Sequence, residues 1–243
     1  FFGDFPESVY AQCMQNFFGR TGGSMEAELC RDCRKGRTCE FYCDISDLEK
    51  RSNELNYEIG NVSGYDGDHC VFSNDADIYD TMALLVRYRK GGILSYTLDA
   101  SVPFEGWNLA VNGTKGRLET GITDNKPYPG WQEKFQIIDA AGNTVGNKGA
   151  RVTSWPSEYT IHVMPHTGTD RLYRIPNLAE GHGGGDYRIF NALFRQEGLD
   201  GDPIGVFAGA LDGMASMMVG WGANQSAKTG LPVRLEQLEK WLP

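Results

Sequence analysis

Six cysteines stand at positions 13, 30, 33, 39, 43 and 70, and four of them fall in the run Cys30-x2-Cys33-x5-Cys39-x3-Cys43. Thiolates bind Zn2+ tetrahedrally, and a Cys-x2-Cys knuckle is a recurring spacing in structural zinc sites. Cys30, Cys33, Cys39 and Cys43 are therefore the candidate ligands of a structural zinc. Cys70, beside His69 and before Val71 and Phe72, is the alternative to Cys43 as the fourth ligand. The interleaved Arg31, Arg34, Lys35 and Arg37 are expected to lower the thiol pKa values and to offset the charge of a four-thiolate site. The x5/x3 spacing is not that of a standard zinc ribbon. Reduced structural thiols, or disulfides in an exported protein, are the competing readings. Four cysteines leave no open coordination position, so the pattern does not point to a catalytic metal.

The second chemically distinctive segment is Gly181-His182-Gly183-Gly184-Gly185-Asp186, directly before a predicted helix. Glycines let a backbone approach a ligand closely, and free N–H groups at a helix start favour an anion or a polar oxygen. The segment is not the dinucleotide fingerprint, and it lacks the Gly-Lys-Ser/Thr of a phosphate loop. His182 is the histidine best suited to touch a substrate; a capped turn with a solvent-facing imidazole is the alternative. His162 and His166 are four apart at a strand end, and Pro165 opposes the helix that would put them on one face, so they do not read as a metal pair.

The elements that must position these groups follow from periodicity and turn chemistry. Residues 7–18 read as a strand. Residues 19–77 are polar, cysteine-rich and aperiodic, an insertion with little core of its own. Leu84, Val86 and Tyr88 alternate along 81–88, the turn Arg89-Lys90-Gly91-Gly92 follows, and 93–100 alternates again: a β-hairpin. A second pair, 107–111 and 117–120, flanks the turn Asn112-Gly113-Thr114-Lys115-Gly116, and 133–139, 158–163 and 171–175 add three more strands. Asp186 is the expected N-cap of a helix over 187–196, with Ile189, Phe190, Leu193 and Phe194 on one face. The longest helix, over 203–228, carries an apolar stripe of Phe207, Leu211, Met214, Met218 and Trp221. It also carries a small-residue stripe of Gly205, Gly209, Asp212, Gly213, Ser216 and Gly220, so both faces are expected to be buried. A short helix is expected over 235–241. Strands first and helices last imply an α+β fold, one large, mostly antiparallel open sheet with helices on one face. The other face is then free for a second copy.

Length and charge bound the function. The 243 residues, 40% of them hydrophobic, suffice for a sizeable core. They are expected to form a single domain over 1–243 that includes the insertion at about 19–77. Lys+Arg total 23 against 32 Asp+Glu, a net charge of -9. That balance argues against nucleic acid, which demands a basic face, and against anionic membranes. The apolar run over 205–223 is broken by five glycines and Asp212, so no membrane span is expected. The opening Phe1-Phe2-Gly3-Asp4-Phe5-Pro6 lacks the basic and long apolar regions of a secretory signal. The expectation is a fragment or processed product, cytoplasmic, with export of a full-length protein left open.

Several blocks together resemble the carboxy-terminal domain of the Gfo/Idh/MocA oxidoreductases, the relatives of glucose–fructose oxidoreductase and inositol dehydrogenase. They are Asp80-Thr81-Met82-Ala83-Leu84-Leu85-Val86-Arg87-Tyr88 with Gly91-Gly92, then Ser95-Tyr96-Thr97-Leu98, Gly106-Trp107, and Asn112-Gly113-Thr114-Lys115-Gly116-Arg117-Leu118-Glu119. The block from Gly181 to Asp186 and Ala223-Asn224-Gln225-Ser226-Ala227-Lys228-Thr229-Gly230-Leu231-Pro232-Val233 complete the set, whose order and spacing run from about residue 1 to 238. In that family an amino-terminal Rossmann domain binds NAD or NADP. A catalytic lysine in a Glu-Lys-Pro motif, and a His-x-x-x-His or Asp-x-x-x-His helix, lie before or at the domain junction. Neither motif is in this sequence, and Phe1 to Val9 resembles the segment just after that helix. The resemblance thus implies the second half of such an enzyme, with no catalytic residue of its own and inactive alone.

The same resemblance implies a sugar, cyclitol or related polyol as substrate, and a sheet face that builds a homodimer or homotetramer. It places Glu105 and Trp107, in the stretch Pro103-Phe104-Glu105-Gly106-Trp107, among substrate-facing positions, and adds His182 and Asp186 to the site. Trp107 can stack on a sugar face and Glu105 can accept hydroxyl hydrogen bonds; core packing for Phe104 and Trp107, a surface turn for Glu105 and an N-cap role for Asp186 are the bland alternatives. Similar relatives also carry a Cys-x-x-Cys insertion before the first hairpin. Outside the enzyme reading, the chain could be a non-catalytic binding or assembly module, or a zinc-stabilised interaction domain centred on residues 30–43.

Overall fold

The computed structural model describes residues 3–19, 23, 25–43, 67–102, 105–124, 135–138, 141, 143–148, 158–176, 184–195 and 207–235. Its strands, in chain order, are β1 (Pro6–Met14), β2 (Thr81–Tyr88), β3 (Ile93–Asp99), β4 (Glu105–Gly113), β5 (Gly116–Asp124), β6 (Phe135–Ile138), β7 (Thr144–Lys148), β8 (Glu158–Pro165), β9 (Arg171–Pro176) and β10 (Val233–Arg234). The α-helices are α1 (Gly185–Phe190) and α2 (Ala210–Thr229). Every described pairing is antiparallel, so the class is α+β and mostly sheet, as the alternation predicts. The expected single large sheet is divided. The described strands form one sheet ordered β10-β1-β2-β3, another ordered β4-β5-β8-β9, and the hairpin β6-β7. Alternation sets which face of a strand is buried; it does not name the neighbour.

The chain forms two compact units, Phe1–Ser101 with Ala208–Pro243, and Val102–Phe207. In the first, Val9 pairs with Val86 and Ala11 with Leu84. Val9, Ala11, Val86, Met218, Ala223 and Leu235 form the buried core, with Leu84, Tyr88 and Leu94 packed against it. The period-two set on β2 thus points inward as expected. Each fully buried valine or leucine is worth about 1.5–3 kcal/mol.

Helix α2 packs on this sheet through Met214 and Met218 of the expected apolar stripe and through small and polar residues outside it. Met218, Gly222, Ala223 and Ser226 are buried, whereas Leu211 and Trp221 of the apolar stripe are exposed. The glycine that permits close approach is Gly222: a Cβ there would lie 2.6 Å from Val9 Cγ1 and 2.7 Å from Leu235 Cδ2. At Gly213 and Gly220, in the expected small-residue stripe, a Cβ would meet nothing within 4 Å. Ser226 ties the helix to the sheet: the Ala11 N–H donates to its Oγ at 2.9 Å, and its hydroxyl donates to the Leu231 carbonyl at 2.8 Å. The helix begins at Ala210, later than expected, because the Gly209 N–H donates to the Asp212 carboxylate (2.8 Å) and sets the start there. It ends at Gly230, whose φ of 70° is the left-handed conformation glycine favours. Among the described residues no helix is long and apolar enough to cross a membrane.

In the second unit, Asn112 pairs with Arg117 and Gly113 with Gly116, so β4 and β5 meet at a two-residue turn, Thr114-Lys115. Strand β7, rich in Gly and Asn, has too little apolar alternation to have been read from sequence. Residues 236–241, where a terminal helix is expected, lie outside the described residues; Leu235 itself is in the core.

Candidate functional site

The described candidate residues fall in two parts of the chain. The first is the described part of the insertion. Cys30–Asp32 and Gly36–Thr38 are single 3-10 turns. The bonds Cys33 N→Cys30 O, Gly36 N→Cys33 O, Cys39 N→Gly36 O and Tyr42 N→Cys39 O, each 3.1 Å, close successive four-residue turns. The segment 67–73 is brought alongside by the Leu29–His69 bridge, with Cys30 N→Asp68 O at 2.8 Å and Cys70 N→Glu28 O at 2.9 Å. The buried Asp68 carboxylate locks this crossing, accepting from the Arg31 N–H (3.0 Å) and lying 3.1 Å from the Arg31 guanidinium. The insertion also has a small core that its polar composition hides: Phe41 packs edge-on against Phe17 (5.5 Å) and Phe72 (5.4 Å).

Cys30, Cys33, Cys39 and Cys70 line one cavity of about 20 Å³ beneath Phe41 and Phe72. Cys43 does not line it: its Sγ lies 3.6 Å from the Gly67 carbonyl, while its backbone N–H reaches the Cys30 thiol. Contrary to expectation, the Cys30 thiol is not acidified. Burial pushes it up; the Cys43 backbone N–H opposes this, and Cys70, Asp68 and Cys39 add to the rise. The reason lies in where the cations go: Arg31 pairs with Asp68, and Lys35 lies 3.5 Å from Glu26.

The second place is the unit built on β4-β5-β8-β9. Trp107 lies on the edge strand β4 opposite Ile122 and is 49% exposed, so its indole is not core and is free to stack on a ligand. Glu105 opens the same strand, opposite Asp124. The β5 residue behind them has to be small: a Cβ on Gly121 would fall 2.8 Å from the Trp107 carbonyl oxygen. Asp186 is not the N-cap of α1. That position is Gly184, at a φ of 85° suited to glycine, and Asp186 falls in the first turn, exposed. His182 lies outside the described residues, as do Pro103 and Phe104. The helical stretch beyond α1 is a π-turn over Asn191–Arg195, and Ile189, Phe190, Leu193 and Phe194 are exposed. On the sheet face opposite Trp107, His162 on β8 has Nε2 3.1 Å from Asp170.

One organising residue escaped the sequence reading. The buried Asp80 accepts the N–H groups of Asn16 (2.9 Å), Phe17 (2.7 Å) and Phe18 (2.9 Å). These bonds, that of Asn16 first, hold its carboxyl down to about 2 against the opposing effect of burial. Its partners lie more than sixty positions away, so no local signal exists; it sets where the chain leaves β1 for the insertion.

Among known proteins, the chain has a distant relative. Over 97% of its length it is 28% identical to "Putative oxidoreductase YteT" of Bacillus subtilis (strain 168). It spans about half (52%) of that relative's length. No protein-family model matches the chain.

Proposed function

We propose that this chain is the substrate-binding and oligomerisation half of an NAD(P)-dependent oxidoreductase acting on a sugar, a cyclitol or a related polyol. The observation that carries the reading is the likeness, along 97% of the chain, to half of a protein named as an oxidoreductase. The nucleotide belongs to the other part of the polypeptide. The start of α1 does not suit a pyrophosphate, because Asp186 puts a carboxylate in its first turn. When bound, a nicotinamide dinucleotide accepts or returns a hydride at a carbinol carbon. The groups contributed by this chain act on the substrate alone. The exposed Trp107 indole stacks on the apolar face of a sugar ring, and Glu105 accepts hydroxyl hydrogen bonds. His182 and Asp186 are assigned to the same site by the resemblance alone.

Support for assembly comes from the outer face of the β1–β3 sheet, opposite the core, where Met14, Leu85 and Ile93 are exposed. A second copy laid on that face would bury them. The test of the site is a kinetic comparison of Trp107→Ala and His182→Ala with wild type in the full-length polypeptide. Both raise KM for the polyol and leave nicotinamide nucleotide affinity unchanged. Unchanged KM rejects the site. A full-length polypeptide that binds no nicotinamide nucleotide rejects the enzyme reading in favour of a non-catalytic binding or assembly module.

A further inference from the structure

We propose that Cys30, Cys33, Cys39 and Cys70 form a closed four-thiolate site for one Zn2+ ion, with Cys43 outside it. The backbone lays the site out. A four-residue turn brings its end Cα atoms within about 7 Å. The turn closed by Cys33 N→Cys30 O therefore makes a knuckle of the Cys30-x2-Cys33 pair. Two more such turns, Cys33 to Gly36 and Gly36 to Cys39, fold the chain back so that Cys39 reaches the same cavity. The fourth thiol comes from a remote segment: the Leu29–His69 bridge sets Cys70 beside the knuckle, and the Arg31–Asp68 clamp fixes that crossing.

The cavity suits a single ion. Its volume of about 20 Å³ is that of one small guest. Its remaining walls are chiefly apolar, with Phe41 and Phe72 among them, so the site is closed and structural with no place for a reacting water. Among the described residues no set of three or more His, Cys, Asp or Glu is already arranged to hold a metal ion. The four thiols line one cavity, and binding requires the sulfurs to turn inward to Zn–S bonds of about 2.3 Å. Binding releases the thiol protons to solvent, so it strengthens as pH rises. The ion cross-links residues 30–39 to residue 70.

The test is metal analysis of the whole chain, purified under reducing conditions without chelator, in wild type and in Cys33→Ser, Cys70→Ser and Cys43→Ser. The expected result is about one zinc per chain in wild type and Cys43→Ser and none in the other two. A second measurement uses the wild-type chain, so that misfolding of a site variant does not decide the outcome. Stoichiometric alkylation of the zinc-loaded chain, read by mass spectrometry, should label Cys43 ahead of Cys33, Cys39 and Cys70, and zinc removal should speed labelling of those three. Co2+ added to the metal-free chain should give the intense absorption of tetrahedral thiolate coordination. A zinc-free wild type that takes up neither Zn2+ nor Co2+ overturns the proposal. So does a disulfide among the four thiols in fresh protein, or loss of zinc in Cys43→Ser with retention in Cys70→Ser.

Discussion

Gly222 and Gly220 sit two residues apart on α2, yet adding one methyl group to each should move stability in opposite directions. Alanine gains about 1 kcal/mol over glycine inside a helix. At Gly220 the new Cβ meets nothing within 4 Å, so Gly220→Ala should realise that gain. At Gly222 it would stand 2.6 Å from Val9 Cγ1 and 2.7 Å from Leu235 Cδ2. Both distances are roughly 1 Å inside ordinary carbon–carbon contact, about 3.5–4.0 Å. Val9 and Leu235 are each 1% exposed, and the branched Val9 side chain has little rotamer freedom, so the helix must lift from β1. Overpacking of this kind costs about 1–3 kcal/mol, and a clash with two core residues belongs at the upper end. Gly222→Ala is therefore predicted to lose about 1–2 kcal/mol net, after the helix gain. The two variants should differ by about 2–3 kcal/mol, or roughly 4–12 °C in Tm for a chain of this size. Urea and thermal unfolding of the purified chain measure this directly. A Gly222→Ala protein as stable as wild type would show that α2 does not approach β1 through that glycine.

Other predictions follow from the same packing. Ser226→Ala leaves the Ala11 N–H without its partner in a buried place and should cost about 1–3 kcal/mol in urea unfolding. Asp80 titrates near 2 in the folded chain and near 3.9 when unfolded. Its contribution is thus complete above pH ~4 and is lost as pH falls towards 2. Asp80→Asn should lower the urea midpoint at neutral pH and flatten the acid limb, and an unchanged acid limb would remove Asp80 from that role. Gly121→Ala forces β5 away from the Trp107 carbonyl and should cost about 1–3 kcal/mol, again by urea unfolding.

The sequence revealed what depends on local pattern. Leu84, Val86 and Tyr88 alternate because one face of β2 is buried, and the turn at Arg89 to Gly92 follows from its glycines, so the first hairpin was legible almost to the residue. What it hid depends on distant partners. The contact face of α2 is set by where β1 lies; the apolar stripe found its Met214 and Met218 but not the residues of closest approach, Gly222 and Ser226, which are small or polar. Asp186 looks like a helix cap by type, but the left-handed residue two places earlier starts the helix. For the cysteines, contiguity is all that a sequence displays. The Leu29–His69 bridge, across some forty intervening residues, brings Cys70 to the cavity that Cys30, Cys33 and Cys39 also line. The exposure of Trp107 could not be read at all, since the same alternation serves a core strand.

Substrate-dependent reduction of NAD or NADP by the full-length polypeptide, followed by absorbance over a panel of sugars, cyclitols and polyols, tests the central claim. The prediction is turnover with at least one of them, with KM raised about tenfold by Trp107→Ala, equivalent to about 1.4 kcal/mol of lost substrate binding, and nucleotide affinity unchanged. Turnover that is indifferent to Trp107, or no nicotinamide reduction with any hydroxylated substrate, would contradict the account.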